Sequence, residues 1–252
     1  LLSVAYNERE FSGFLFDYRH MIRNFIADSG AWSVAHGKSD LKIESVISFY
    51  RMFGHMFGMY FNFDVNFSTD GFDDNITNQL IMEKEGLSPI PVVHNIINYE
   101  IDYYLESERY DWLALGSSQI NSVDDLEHAV NRIKKWGNPN IKIHWFGGSR
   151  YEWLIDVPVA SCDTTSWAAI GSFGYINYWN NEWDDSYKLN KIYVGGRIRE
   201  KSDEDKKREF TFMQYPWRKE LEEYLFKTFA LTYGDLCGHQ DKENMQLVNI
   251  HY

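Results

Sequence analysis

Short apolar runs alternate with helix-like segments through most of the chain. Each run has the length of a strand, and most of the runs end in a glycine or a polar residue. The segments between the runs carry apolar residues at roughly helical spacing. This alternation predicts parallel strands joined by helical crossovers. The strands are predicted over residues 1–6, 25–27, 59–65, 89–94, 112–115 and 141–145, and in a run that begins at residue 158.

Helices are predicted in the intervals between these strands. Asp73 or Asp74 is the expected N-cap of one helix, and Gly86 lies just past the end of that helix. Ser122 is the expected cap of another helix, which runs to about Trp136. The predicted helices lie over residues 11–24, 40–57, 73–86, 97–109, 122–136 and 149–155.

The number of strands favours an α/β fold, and within that class a (β/α)8 TIM-type barrel over an open sheet. At 252 residues the chain has the usual length of one such barrel. Residues 168–183 are small and aromatic, and hold either the eighth strand or an insertion over the barrel mouth. A final amphipathic helix is predicted over residues 217–233. We therefore expect one domain, with the catalytic barrel over residues 1–183 and a C-terminal extension over residues 184–252 packed on it.

Composition and charge restrict the setting and the partners. No stretch approaches the ~20 apolar residues that span a bilayer, so we expect no membrane partner. Cys162 and Cys237 cannot form a disulfide framework, which favours a reduced, cytoplasmic setting, in a bacterium or a virus-infected host cell. The net charge of −12 argues against broad attraction to nucleic acid, so such binding needs a local basic patch. The chain begins with Leu1 and not Met, and we expect that residues before it are missing or removed.

Polar residues stand at four of the predicted strand ends: Asp28, Asp64, His94 and Asp163. In a parallel barrel these ends converge where chemistry is done. Two carboxylates that face one pocket can divide the work of nucleophile and proton carrier, as in the cleavage of glycosidic bonds. One Asp alone is more often a helix cap or a turn residue, and a buried His is more often a core residue. Together, the four predict a barrel enzyme with carboxylate chemistry.

Several segments resemble the guanine transglycosylases that act on nucleic acid, the queuine and archaeosine tRNA-ribosyltransferase family. Asp28-Ser-Gly-Ala-Trp is similar to the family's Asp-Ser-Gly-Gly-Phe motif. Phe63-Asp64-Val falls where the family has an aspartate that reads the guanine edge. The segment from Leu113 to Ser118 is similar to a loop whose backbone contacts the base. Ser161-Cys-Asp-Thr-Thr-Ser-Trp falls where the family carries its nucleophilic aspartate.

Two further segments are most similar to the branch that inserts a 7-deazaguanine, such as preQ0, into DNA. They are Pro89-Ile-Pro-Val-Val-His and His144-Trp-Phe-Gly. The nucleophile segment also resembles the Ser-Val-Asp-Ser-Thr-Ser-Trp of that branch. The resemblance covers roughly residues 25–170, and it depends on the order and spacing of the motifs together. DNA is therefore the expected substrate, and tRNA is the alternative.

The resemblance implies a role for each candidate residue. Asp163 would attack C1′ of a target deoxyguanosine and form a covalent glycosyl-enzyme, and Asp28 would deprotonate the incoming base. Asp64 would accept hydrogen bonds from the N1–H and 2-amino edge of the base. The rest of the base pocket would be formed by His94, Leu115, Gly116 and Ser117. No cofactor is implied.

Contacts with the nucleic acid are expected around the mouth of the barrel. A duplex base must be extruded before it can react, and aromatic side chains would stack against the strand. The stacking candidates are Trp32, Trp145, Trp167 and Tyr175. A basic track for phosphates would include Arg150, Arg197 and Arg199. The alternative for the charged run 197–208 is a solvated helix face of mixed charge.

The chain also departs from the family pattern. The tRNA-acting enzymes hold a structural zinc with three Cys and one His, whereas only Cys237 and His239 stand in the corresponding region here. We therefore expect no metal site. His94 stands where those enzymes have Gln, and Ala31 stands where the motif has its second Gly. The resemblance is compatible with a homodimer. The remaining alternative is a catalytically inactive barrel that binds nucleic acid or a partner subunit.

Overall fold

Two compact units make up the chain, Leu1–Asp163 and Thr164–Tyr252. The structure is a computed structural model. The domain boundary expected between residues 183 and 184 stays a prediction. The residues that it describes are 1–7, 11–18, 20, 22, 24–116, 119–148, 150–172, 174–179, 189–193 and 218–236.

The described part of the first unit contains seven strands, and every pairing between them is parallel. One sheet has the order β1-β2-β3 and the other has the order β4-β5-β6-β7, so each strand lies beside its neighbour in the chain. A parallel bridge between Phe61 and Ile90 links the two sheets. The predicted α/β class with parallel strands is confirmed. The strands are β1 (Leu2–Ser3), β2 (Phe25–Asp28), β3 (Phe57–Tyr60), β4 (Val92–Val93), β5 (Trp112–Leu115), β6 (Lys142–Trp145) and β7 (Ser161–Cys162).

Helices follow the strands along the chain, as βα units require. A 3₁₀ turn over Gly54–Met56 leads directly into β3. The long helix before β6 shows why such segments fold as helices: Leu126, Ala129, Val130 and Ile133 recur at helical spacing and are buried. Burial of each larger aliphatic side chain contributes about 1.5–3 kcal/mol. The helices are α1 (Val4–Asn7), α2 (Phe11–Tyr18), α3 (Ala31–Ala35), α4 (Ile43–Phe53), α5 (Phe72–Lys84), α6 (Glu100–Glu106), α7 (Val123–Trp136) and α8 (Tyr151–Asp156).

The two faces of the strands bury different clusters. On the helix side, one cluster packs β1–β3 against α1–α4, and another packs β4–β6 against α5–α7. The opposite face buries an inner cluster of Phe61, Ile90, Val92 and Ala114, with Ile26, Met59, Trp112 and Phe146 against it. These residues come from β2 through the end of β6. The ring of Phe61 lies 4.5 Å from that of Phe146, so the region after β3 meets the region after β6 across the inner face.

Several predicted strands are shorter in the structure than expected. The strand predicted over residues 59–65 is β3 at Phe57–Tyr60, which begins two residues earlier and ends four residues before Asp64. Only Leu2–Ser3 is extended at the start of the chain, and the backbone then turns into α1, which packs against the turn after β2. Pro89 and Pro91 lack the N–H that a ladder needs, so the fourth strand is reduced to Val92–Val93 and the Ile90 bridge. The run from Pro158 becomes regular only at Ser161–Cys162.

One predicted helix cap is wrong and another is confirmed. α5 begins at Phe72, whose ring is buried, and its N-cap is Gly71, without a side-chain cap. Asp73 and Asp74 lie in the first turn, where their charge favours the helix dipole. The predicted cap of α7 is confirmed, because Ser122 forms a capping box with Asp125.

In the second unit, α9 (Ser166–Ser172) precedes β8 (Tyr175–Trp179). β8 pairs antiparallel with β9 (Leu189–Tyr193), so it forms a hairpin-like pair with the next described strand. The final predicted helix is confirmed as α10 (Arg218–Phe229), and α11 (Tyr233–Leu236) follows it. Among the described residues, none of the helices has the length and apolar character needed to cross a bilayer.

Candidate functional site

Asp28 is the last residue of β2 and is held by the turn that follows it. Its Oδ2 accepts a hydrogen bond from the backbone N–H of Gly30 at 3.2 Å. Gly30 has a φ of +87°, and a Cβ there would lie 2.6 Å from the Cβ of Ala5 in α1. Glycine is therefore required on both conformational and packing grounds. Because alternate residues of a strand share a face, Asp28 lies on the same face as Ile26, at the top of the inner cluster.

The surroundings of Asp28 raise its pKa from 3.8 to about 6. Burial is the largest cause, followed by the negative charge of Asp64; the charge of Asp163 adds to the same effect. Hydrogen bonds from Ser3 and Gly30 oppose the rise. Asp28 can therefore take up or release a proton close to neutral pH. The charges of Asp64 and Asp163 act on it although the three residues belong to different strand ends.

Asp64 and His94 form a buried pair. Asp64 lies in the loop after β3, and His94 directly follows β4; their side chains are 9% and 4% exposed. Nε2 of His94 is 2.6 Å from Oδ2 of Asp64. A carboxylate can only accept, so Nε2–H is the donor. Burial lowers the pKa of His94, but the hydrogen bond and charge of Asp64, together with the charge of Glu100, raise it above its ordinary value.

The loop that carries His94 is fixed by a buried carboxylate. Glu100 is 2% exposed, and its Oε2 accepts the backbone N–H groups of His94 at 2.8 Å and Asn95 at 3.1 Å. On the other side, Gly116 packs directly against the imidazole: a Cβ at this position would lie 2.9 Å from Nδ1 of His94. Glycine at the end of β5 therefore leaves the space that the imidazole occupies.

Asp163 lies one residue beyond β7 and is more accessible than Asp64. Its side chain is 24% exposed. Oδ1 accepts the backbone N–H of Gly147, in the loop after β6, at 3.2 Å. Nε2 of His144 lies 3.4 Å from the same oxygen, within ion-pair distance but without forming a hydrogen bond. Gly147 and His144 thus both approach Oδ1 of Asp163.

His144 is a site residue to which the sequence assigned no role. Its side chain is fully buried in β6, and its Nδ1 is 2.8 Å from Oγ of Ser161. The imidazole lies between the rings of Phe61 and Phe146, at 4.8 and 4.7 Å. Strand alternation is the signal that could have revealed it, since Ile143 and Trp145 face the helix-side core and His144 faces the opposite side.

Tyr50, on α4, is a second residue that the sequence did not identify. Its hydroxyl is 3.4 Å from the carbonyl oxygens of both Ala27, which directly precedes Asp28, and Phe61, which lies three residues before Asp64. Burial, followed by the charges of Asp28 and Asp64, raises the pKa of Tyr50 well above its ordinary value. It therefore stays protonated and acts as a hydrogen-bond donor beneath the two carboxylates.

The remaining residues predicted to contact the base or the nucleic acid lie in different surroundings. The side chain of Leu115 belongs to the helix-side core, and its carbonyl accepts the N–H of Phe146 at 3.0 Å. Arg150 is exposed, with its guanidinium 4.3 Å above the ring of Trp153. The predicted residues Ser117, Arg197 and Arg199 lie outside the described residues, as do Cys237 and His239.

The stacking candidates also differ from one another. Trp32 is 49% exposed and stacks on His36 with 4.1 Å between ring centroids. Trp145 is 3% exposed and lies parallel to Trp153, so its assignment to the mouth is wrong: its place in β6 turns it toward the helix-side core. The side chain of Trp167 lies outside the described residues. Tyr175 lies in β8, in the second unit.

Comparisons with known proteins do not extend the motif resemblance. No protein-family model matches the chain, and no curated protein matches it. Within the described residues, the His, Cys, Asp and Glu side chains form no group of three or more that could hold a metal ion.

Proposed function

We propose that the chain is a nucleic-acid guanine transglycosylase of the branch that exchanges guanine in DNA for a 7-deazaguanine such as preQ0. The observation that carries this proposal is the electrostatic coupling of Asp28 to both Asp64 and Asp163. The pKa of Asp28 is raised to about 6, so it can exchange a proton close to neutral pH, whereas Asp163 is accessible and receives a backbone N–H. Carboxylates in such different environments can divide the roles of proton carrier and nucleophile.

We also propose that the first unit folds as a (β/α)8-type barrel. Seven parallel strands in chain order and the Phe61–Ile90 bridge support this. In a flat sheet, β3 and β6 would be roughly 14 Å apart, at about 4.8 Å per strand. The rings of Phe61, after β3, and Phe146, after β6, are nevertheless 4.5 Å apart, as expected if the sheet curls toward closure. The candidate residues would then share the carboxyl end of the barrel, where such folds carry their chemistry.

In the first half of the reaction, a carboxylate oxygen of Asp163 attacks C1′ of the target deoxyguanosine. Because Oδ1 receives the N–H of Gly147, Oδ2 is the oxygen that attacks. The C1′–N9 bond breaks, and its electron pair leaves with the guanine. Protonated Asp28 supplies the proton that the departing guanine takes up. The product of this step is a covalent glycosyl ester on Asp163.

The second half reverses these roles. Asp28, now ionised, removes the N9 proton of the incoming 7-deazaguanine. N9 attacks C1′, and the C1′–oxygen bond to Asp163 breaks, which regenerates the carboxylate. Two inversions at C1′ retain its configuration. One proton is given and one is taken, so Asp28 ends as it began.

Base selection falls to Asp64 and His94. Oδ2 of Asp64 is bonded to His94, which leaves Oδ1 to accept from the base. The N1–H and 2-amino groups of a guanine edge are donors and suit a carboxylate acceptor. Guanine and 7-deazaguanine share this edge, so one pocket can accept both the departing and the incoming base.

The test is a base-exchange assay with labelled guanine and labelled preQ0, on DNA and on tRNA. We expect label to enter DNA, and the rate to fall by a factor on the order of 10³ or more in Asp163→Asn. Denaturing mass spectrometry should detect a glycosyl adduct in the wild type and none in that variant. Asp156→Asn, at the exposed end of α8, is the matched control and should exchange normally.

The outcomes separate the alternatives. Exchange on tRNA alone would replace DNA by tRNA as the substrate. The absence of exchange on either nucleic acid would favour the inactive barrel subunit. Full activity in Asp163→Asn would refute the assignment of the nucleophile.

A further inference from the structure

One imidazole links two residues of the neighbouring strand. His144 in β6 pairs in register with Ser161 in β7. Ser161 and Asp163 are two residues apart, so they share a face of the strand. Nδ1 of His144 lies 2.8 Å from Oγ of Ser161, and Nε2 lies 3.4 Å from Oδ1 of Asp163. Nδ1 is therefore hydrogen-bonded to the nucleophile segment, whereas Nε2 lies near its carboxylate without making a hydrogen bond in the free protein.

The chemistry of these partners selects one tautomer of the neutral ring. A carboxylate only accepts hydrogen bonds, so the nitrogen that faces Asp163 must carry the hydrogen. A serine hydroxyl can donate, so Ser161 gives its hydrogen to Nδ1. The result is a neutral imidazole with the proton on Nε2. The opposite tautomer would direct the lone pair of Nε2 at the carboxylate, which would repel it.

We propose that His144 is a positioning residue for Asp163, and that Ser161 fixes the tautomer in which it acts. This inference rests on the proposed function. Nε2–H and the N–H of Gly147 both approach Oδ1, so the carboxylate is held with Oδ2 free for attack on C1′. Hydrogen bonds of this kind are often long in free enzymes and tighten when substrate binds. Once Nε2–H also engages Oδ1, the two donors together would define the rotation of the carboxylate about its bond to Cβ.

The first experiment tests the tautomer in the free protein and needs no substrate. Nitrogen-15 NMR of the imidazole, assigned by comparison with His144→Gln, should show neutral His144 with the hydrogen on Nε2 near pH 7.5. Ser161→Ala should shift the resonance of Nδ1, because this nitrogen loses its donor. A proton on Nδ1, or a charged ring at this pH, would overturn the proposal whatever the enzyme's activity.

The second experiment compares two replacements of the ring in the exchange assay. His144→Phe fills the space but removes the donor, and kcat should fall about 10- to 100-fold with little change in KM, as for a misplaced reacting group. His144→Gln carries an amide N–H that can reach the position of Nε2, and it should recover most of this loss. The denaturation midpoint of each variant checks that both are folded.

Two results contradict the positioning role. Wild-type kcat in His144→Phe would show that the donor does nothing, and equal losses in two folded variants would show that the ring acts by packing alone. If the wild type exchanges no base, the proposed function fails, and the NMR result still decides the state of His144.

Discussion

At the scale of single residues, Asp28 is placed where its charge is unfavourable. Its carboxyl group is partly buried and faces two other carboxylates. A group whose folded pKa lies above its unfolded value keeps its proton longer in the folded state. Below pH 3.8, Asp28 therefore has no effect on the free energy of unfolding. This free energy falls as the pH rises from 3.8 to about 6, and the loss stays constant above that range.

We expect Asp28→Asn to stabilise the protein at pH 8 and to abolish base exchange. Each unit of pKa corresponds to about 1.4 kcal/mol, so the rise from 3.8 to about 6 sets an upper limit of about 3 kcal/mol. Asn can still accept the N–H of Gly30, which keeps the turn. Urea denaturation between pH 3.5 and 8 measures the difference, which should vanish at the acid end.

The matched control for this prediction is Asp70→Asn, on an exposed turn before α5. Its free energy of unfolding should differ from that of the wild type by less than about 0.5 kcal/mol at any of these pH values. A stability gain in Asp28→Asn that is the same at pH 3.5 and pH 8 would contradict the electrostatic explanation.

The sequence identified the site residues that follow apolar runs, but it missed those whose position depends on tertiary contacts. Asp28, Asp64, His94 and Asp163 follow apolar runs, and this pattern is visible in the chain. The role of Tyr50 depends on which side of α4 meets the ends of β2 and β3, a tertiary contact that periodicity does not give. The buried Glu100 was likewise hidden, because a carboxylate in the first turn of a helix ordinarily faces solvent.

At the scale of elements, local signals predicted bounds well and pairing signals did not. α7 begins where Ser122 and Asp125 exchange hydrogen bonds, and those partners are three residues apart. The prediction for β4, residues 89–94, was too long. Pro89 and Pro91 have no N–H to donate to a neighbouring strand, so only Val92–Val93 form the strand. A strand of two residues is set by the sheet around it and not by its own composition.

We expect Ser122→Ala to destabilise the first unit by about 1 kcal/mol. The substitution removes the acceptor for the N–H of Asp125, now at 3.2 Å, and leaves that donor without its cap. It should leave the rate of base exchange unchanged, since α7 contributes no residue to the candidate site. Chemical denaturation measures the change.

Ser48→Ala is the control for the cap. Ser48 is exposed in the middle of α4, where its hydroxyl bonds back to the carbonyl of Glu44. Alanine has the higher helix propensity there, so the variant should be as stable as the wild type or slightly more stable. Equal destabilisation by the two substitutions would show that the loss at residue 122 does not come from capping.

At the scale of the whole molecule, the α/β class was predictable from the sequence, but the contact between Phe61 and Phe146 across the inner face was not. Alternation of apolar runs with helical segments gives parallel strands in chain order, because each crossover returns the chain to the same edge. The meeting of Phe61 with Phe146 depends on side chains about 85 residues apart that fill one interior. No local pattern contains that contact.

With a net charge of −12, the proposed binding of DNA would depend on a few well-placed cations. Among the residues of the proposed track, Arg150 is the one whose side chain the structure describes. Its guanidinium lies over the ring of Trp153. Arg150 follows shortly after Gly147, whose backbone N–H donates to Asp163. Arg109 is equally exposed, but it precedes β5 and pairs with Glu83 at the amino end of the strands. The two arginines therefore carry the same charge at opposite ends of the proposed barrel.

We expect Arg150→Gln to reduce the slope of log Kd against log salt by about 1, because each phosphate contact releases about one counterion. Arg197→Gln with Arg199→Gln should reduce it by about 2 if both belong to the track. Arg109→Gln should leave the slope unchanged, although it removes the same charge from the protein. Fluorescence anisotropy with a labelled duplex at several salt concentrations measures all three. If the Arg150 and Arg109 variants gave equal slopes of log Kd against log salt, the position of the arginine would not affect DNA binding. The basic track would then be removed from the proposed function.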